Sequence, residues 1–202
     1  MGYKNDFSKE EVRDKIVNLL LSTGREGMSN LINHMDKNGF FTAPCSGGNH
    51  LAKEGGLAEH SLNVYFIADG SASSRLDFET YVSLSNSIII ASLLHDYGKI
   101  GQFGKSLYVD NILNSGKRSE AKPYVQNSDL LDKCHEVVSA IEVGKFIQLT
   151  EEEQYAITRH NGLYGVYKYD IPGKEIPLYL LIHEADMWAS RVVELEEGAG
   201  EE

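Results

Sequence analysis

The sequence predicts an all-α protein of six to eight helices, with room for one small β-hairpin. Three observations carry this expectation. Apolar residues recur at helical spacing along much of the chain. Two capping boxes mark helix starts. No long window alternates apolar and polar residues as a half-buried strand must.

The elements follow in order. Ser8-Lys9-Glu10-Glu11 is the first capping box, and Val12, Ile16, Leu19 and Leu20 follow it at helical spacing. A second helix is expected over Glu26 to Asp36, stopping at Asn38-Gly39. Residues 40–56 read as an irregular loop holding Pro44, Gly47, Gly48, Gly55 and Gly56; a loop this long in a compact domain points to function. A third helix is expected from Leu57 to Asp69, then a polar linker from Ser71 to Asp77. A long helix from Glu79 to Tyr97 ends at Gly98. Residues 101–127 show no period. Ser128 to Gln148 reads as helix. Thr150 opens another, with Glu153 completing the second capping box, and Asn161-Gly162 ends it. Tyr164 to Ile171 is the place for a hairpin. Pro177 suits a helical first turn and opens a last helix reaching Glu196. These elements make one domain over 1–195, with 1–40 as a helical extension packed on it, and an acidic, disordered tail over 196–202.

At 202 residues the chain is long enough to bury a core without disulfides. Cys45 and Cys134, distant and outside any Cys-x-x-Cys pair, suit a reducing compartment, so a cytoplasmic location is expected. The polar N-terminus does not read as a signal peptide, and the longest apolar run, near Ile88-Ile89-Ile90-Ala91, is too short to span a membrane. A formal net charge of −11 disfavours a broad grip on nucleic acid; it suits a soluble protein.

Chemistry enters with the seven histidines, His34, His50, His60, His95, His135, His160 and His183. Several lie in apolar helical sequence, where an imidazole needs a partner. Asp96 and Asp186 also fall in apolar runs, and a buried aspartate is costly unless it is paired or binds metal. Histidine and aspartate side chains projecting inward from several helices build metal sites in bundle cores. This donor set suits Mn, Fe, Zn, Co or Ni, and its carboxylates admit Mg. His95 and Asp96 are neighbours, which a regular helix would point about 100° apart. Both reach one site only if it lies across the helix end, and Gly98 supplies that end. Asp96 could then bridge two ions while His95 binds one. His34 reads as a surface or core histidine, His50 as a loop residue or substrate contact. His183, three residues before Asp186 on one face, is a partner of a ligand or a core residue, with direct ligation the lesser alternative.

The ordered series His60, His95-Asp96, His135, His160, Asp186 resembles the HD superfamily of metal-dependent phosphohydrolases, in particular small bacterial and phage members. Gly55-Gly56-Leu57-Ala58-Glu59-His60-Ser61-Leu62-Asn63-Val64 is similar to their first motif, and Leu93-Leu94-His95-Asp96-Tyr97-Gly98-Lys99-Ile100 to their central one. The resemblance spans Phe40 to Arg191. It implies that His60, His95, Asp96 and Asp186 are the shared metal ligands, and that His135 and His160 belong to members holding two ions bridged by Asp96. One or two divalent cations (Mn, Fe, Mg, Co, Ni or Zn) are therefore expected. It places Lys99 near the phosphate or the bridging water, as a catalytic and substrate-binding residue beside Asp96. Arg159, next to His160, is a phosphate-contact candidate by position. The chain departs from the pattern at Cys134, where relatives often carry Gly, and over residues 101–133.

The expected function is hydrolysis of a phosphoester in a nucleotide or short oligonucleotide, with no membrane partner and with a homo-oligomer as an option. The locally basic stretch holding Lys105, Lys117, Arg118 and Lys122 is either a phosphate-facing lid or a solvated loop. Tyr97, Tyr108, Tyr124, Tyr164 and Tyr167 are a base-stacking platform or core and rim residues. Two alternatives stand beside hydrolysis: a di-iron oxygenase with the same ligand series, and a nucleotide-binding regulatory module with a degenerate site.

Overall fold

The computed structural model describes residues 6–195, so the expected acidic tail over 196–202 lies outside the described residues. The fold is all-α, with one small two-stranded antiparallel sheet. Seven α-helices occur among the described residues: α1 (Lys9–Ser22), α2 (Met28–Lys37), α3 (Gly56–Arg75), α4 (Phe78–Leu94), α5 (His135–Val143), α6 (Glu151–Arg159) and α7 (Pro177–Trp188). A 3₁₀ turn, Tyr97–Ile100, follows α4, another covers Gly162–Tyr164, and a π turn, Ala189–Val193, follows α7.

Both capping boxes form. Ser8 Oγ accepts from Glu11 N while Glu11 reaches back to Ser8 N, and Thr150 and Glu153 do the same at α6. The second box does more than cap: Glu153 is fully buried and also bonds Arg25 and Ser87. That node ties the α1–α2 turn and α4 to the start of α6.

α3 and α4 run through the middle. From Ile88 to Leu94 every residue of α4 is buried; a helix apolar all round belongs in a core. On one side lies a cluster including Ile16, Leu20, Leu31, Met35, Leu57, Leu62 and Leu93. On the other, Val64, Ala68, Ile88, Ile157, Leu178 and Ile182 pack together. The small residues Ala68 and Ala72 let α3 approach its neighbours closely.

Four expectations about elements are corrected. The stretch from Ser71 to Asp77 is not a linker: α3 continues to Arg75, because Ala72 is buried in the second cluster and packing outweighs the weak helix propensity of glycine and serine. α4 ends at Leu94, and Tyr97 belongs to the following 3₁₀ turn. The helix expected over Ser128 to Gln148 is confined to His135–Val143. The hairpin is not at Tyr164 to Ile171, which is 3₁₀ helix and turns. It pairs β1 (Tyr108–Asp110) with β2 (Tyr124–Gln126), Val109 opposite Val125, inside the stretch that shows no period. No helix among the described residues is long and apolar enough to cross a membrane.

Candidate metal centre

His95, Asp96, His135 and His160 sit where a helix begins or ends, whereas His60 and Asp186 lie within α3 and α7. His95 caps the C-terminus of α4, and at Asp96 the backbone leaves the helix (φ −101°, ψ 12°). That turn resolves the problem of neighbours pointing apart. In the 3₁₀ turn that follows, side chains three apart eclipse each other, and Lys99 Nζ lies 2.5 Å from Asp96 Oδ2. Gly98 lets the turn abut α5. Its N–H donates to Ser139 Oγ at 2.8 Å, and a Cβ there would stand 2.5 Å from the His135 carbonyl oxygen. Without a side chain at 98, the start of α5 reaches Asp96. At the other end of the long loop, a Cβ on Gly56 would overlap the Leu51 carbonyl oxygen, so this glycine lets the loop fold against the first turn of α3, which carries His60.

The six expected ligands converge. Asp96 is buried and faces two sets of imidazoles, one with each oxygen. Oδ2 is 3.5 Å from His60 Nε2 and 3.4 Å from His95 Nε2. Oδ1 is 3.2 Å from His135 Nε2 and 3.5 Å from His160 Nε2. Asp186 Oδ1 joins the first set, 3.2 Å from His60 Nε2. Two donor triads able to hold a cation result, His60–His95–Asp186 and His95–Asp96–His160.

The outer nitrogens are held, which turns the inner ones toward the centre. His95 Nδ1 donates to the Ser92 carbonyl at 2.8 Å and His160 Nδ1 to the Ile157 carbonyl at 2.7 Å. His60 Nδ1 is 3.0 Å from both carboxylate oxygens of Glu194. This pattern, one ring nitrogen fixed by a carbonyl or carboxylate and the other aimed inward, is that of metal-ligating histidines. Meanwhile Asp96 Oδ1 is buried with no aligned hydrogen-bond donor, although two imidazole nitrogens stand within 3.5 Å of it. A buried carboxylate oxygen without a donor is expensive, and a cation would satisfy it. These donors could hold a metal ion.

The charges agree with that fit. Burial works against ionising Asp96, yet Lys99 and His95, with the imidazoles of His135 and His160 close beside it, hold its carboxyl well below the usual range. Asp186 is likewise held low against burial by His60. Burial opposes a proton on His60, but Cys45, Glu194 and Asp186 outweigh it and raise its proton affinity. His95, where burial dominates, goes the other way. Lys99 stays charged, because Asp96 overcomes its burial.

The substrate-binding candidates fall differently. Lys99 is at the centre. His50 is at its edge: its Nδ1 is 2.6 Å from Glu194 Oε2, and its ring lies edge-on to His60 with centroids 5.0 Å apart. Arg159 is engaged elsewhere, its guanidinium 4.4 Å from the Tyr155 ring centre, 4.6 Å from that of Tyr167, and bonded to Thr158. His183 donates from Nδ1 to the His160 carbonyl at 2.7 Å and so braces the last turn of α6. His34 bonds the Tyr97 hydroxyl in the core, and Tyr97 is fully buried. Lys122, Tyr108 and Tyr124 line a groove of about 330 Å³ with Gly47 and Gly48.

Sequence reasoning missed three residues here. Glu194 binds His50, His60 and Asn63 at once. The π turn places it, its N–H bonding the Ala189 carbonyl five residues back, and such turns often mark functional sites. Asn63, one turn beyond His60, donates to Glu194 at 3.0 Å. Cys45 is fully buried, 3.6 Å from Lys99 Nζ. The available signal was Glu194 itself, an acid between apolar Val193 and Leu195.

No family model, curated protein or solved structure matches the chain.

Proposed function

We propose that the chain is a metal-dependent phosphohydrolase of the HD type, cleaving a phosphoester of a nucleotide or short oligonucleotide. The observation that carries this reading is Asp96, whose two oxygens each face a separate imidazole set. His60, His95, Asp96 and Asp186 would hold one cation, and Asp96, His135 and His160 a second. Bound divalent cations supply Lewis acidity and lower the pKa of water toward neutrality.

The chain's own groups do the rest. The Nδ1 anchors of His60, His95 and His160 fix the inward nitrogens before any substrate arrives, so little reorganisation is needed. Lys99 keeps its proton at Nζ, nearly buried beside Asp96. There it would bind a phosphoryl oxygen and stabilise the negative charge that grows on it. A fixed ammonium at the centre favours an anionic substrate, which supports phosphoester hydrolysis over oxygenation. The net charge of −11 favours a small substrate over a long polyanion.

The test is a panel of nucleotides and phosphodiesters with Mn, Mg, Co or Ni, read as phosphate or nucleoside release. Asp96→Ala should abolish turnover and lower metal content while keeping the far-UV helical signal. Full activity in that variant overturns the assignment. Iron-dependent oxygen consumption without phosphate release would instead select the oxygenase reading.

A further inference from the structure

We propose that Cys45, His50 and His60 form a separate soft-metal site that competes with the phosphohydrolase centre for His60. One donor atom from each of the three lies within 4.8 Å of the others. The set draws on two places: the loop before α3 gives Cys45 and His50, and α3 gives His60. It rests on the reading above only in taking His60 for a ligand of that centre.

The donors decide which cation it takes. One thiolate and two imidazoles select Zn²⁺ or Co²⁺ over Mn²⁺ or Mg²⁺, whereas the centre itself carries the carboxylates that admit the harder ions. A tetrahedral zinc with one sulfur and two nitrogens keeps its donors about 3.4–3.6 Å apart, given Zn–S and Zn–N bond lengths of about 2.3 and 2.0–2.1 Å. The trio needs a contraction of at most about 1.4 Å to reach that spacing. His50 is ready for it: Glu194 holds Nδ1, leaving the other ring nitrogen to ligate. Its side chain is 16% exposed whereas Cys45 and His60 are buried, so an ion enters on the His50 side. Lys99 Nζ lies 3.6 Å from Cys45 Sγ and 2.5 Å from Asp96 Oδ2, so this trio and the centre share a neighbour as well as a ligand.

Sharing His60 makes the two sets antagonistic. A soft cation on Cys45 and His50 draws His60 away from His95 and Asp186 and stops turnover supported by Mn²⁺. The site therefore makes the chain sensitive to zinc.

Titration of the metal-free protein with Co²⁺ is the test, because thiolate ligation produces a near-ultraviolet sulfur-to-cobalt charge-transfer band that histidine and carboxylate do not. The wild type should show the band. Cys45→Ser should lose it, His50→Asn should weaken the binding that produces it, and Cys134→Ser should retain it. Zinc should inhibit Mn²⁺-supported activity at about tenfold or more lower concentration in the wild type than in Cys45→Ser. Cobalt binding without the band, or a band surviving in Cys45→Ser, overturns the soft-metal site and leaves the phosphohydrolase reading intact. Wild-type protein that binds neither Co²⁺ nor Mn²⁺ overturns both.

Discussion

Glu194→Gln separates orientation of a ligand from the ligand itself. Glu194 is 7% exposed and serves three partners: His50 Nδ1 at 2.6 Å, His60 Nδ1 at 3.0 Å and Asn63 Nδ2 at 3.0 Å. Glutamine keeps the volume and one acceptor oxygen. It removes the charge and turns an N–H₂ toward groups that are themselves donors. His60 then loses the carboxylate that fixes its tautomer and raises its basicity, a change that typically costs about 10–100-fold in metal affinity. That corresponds to roughly 1.4–2.7 kcal/mol. The metal-free protein should also lose stability, because hydrogen bonds to a charged group contribute about 1.5–3 kcal/mol and neutral ones about 0.5–1.5. The assay is Mn²⁺ binding by calorimetry, alongside thermal melting of the metal-free protein. A lower melting temperature with metal affinity within twofold of the wild type would refute the reasoning, since Glu194 would then be a packing residue with no hold on the ligand.

Gly98→Ala places a methyl group 2.5 Å from the His135 carbonyl oxygen and 2.9 Å from Ser139 N. Overpacking of this kind costs about 1–3 kcal/mol, and the displaced start of α5 should weaken the ion shared by His135 and His160 more than the other; urea melts and stepwise metal titration read the two effects. Arg25→Ala leaves Glu153, fully buried, without its cation. Ser87 and the Thr150 N–H still bond it, so the loss, read from urea melts, should fall near the lower end of the roughly 3–5 kcal/mol expected for breaking a buried pair. Metal removal by a chelator should lower the melting temperature. At a metal concentration of about 100 times Kd the bound ion adds about 2.7 kcal/mol, or roughly 5–10 °C for a chain of this size, and an unchanged melting temperature would count against a metal-binding centre.

The parts of the fold legible in the sequence are those fixed by local contacts. Ser8 with Glu11 and Thr150 with Glu153 announce helix starts because both partners of each box lie three residues apart. The end of α3 was not legible: Ser71, Ser73 and Ser74 read as linker, and Ala72, buried against distant helices, keeps them helical. The sheet escaped for a different reason. Each strand is three residues long, below the four to eight that period-two reading requires, while Tyr164 to Ile171 offered a mimic of that pattern without a partner strand.

The site divides along the same line. His60, His95, Asp96 and Asp186 stood out because each is a polar group in apolar sequence, and burial of such a group demands a partner wherever the chain goes. Glu194 carries that same signal between Val193 and Leu195, yet it sits next to Glu196 and Glu197, where an acid reads as solvated. Only the π turn after α7, which no residue pattern announces, returns it to His60. Cys45 is the converse case. Its residue type is ordinary for a buried position, and its chemistry exists only because the glycine-bearing loop before α3 folds back to set the thiol within reach of Lys99, His50 and His60. A site residue drawn from a helix interior is thus announced by its own stretch of sequence, whereas one delivered by a loop or a π turn becomes visible only once the backbone has been placed.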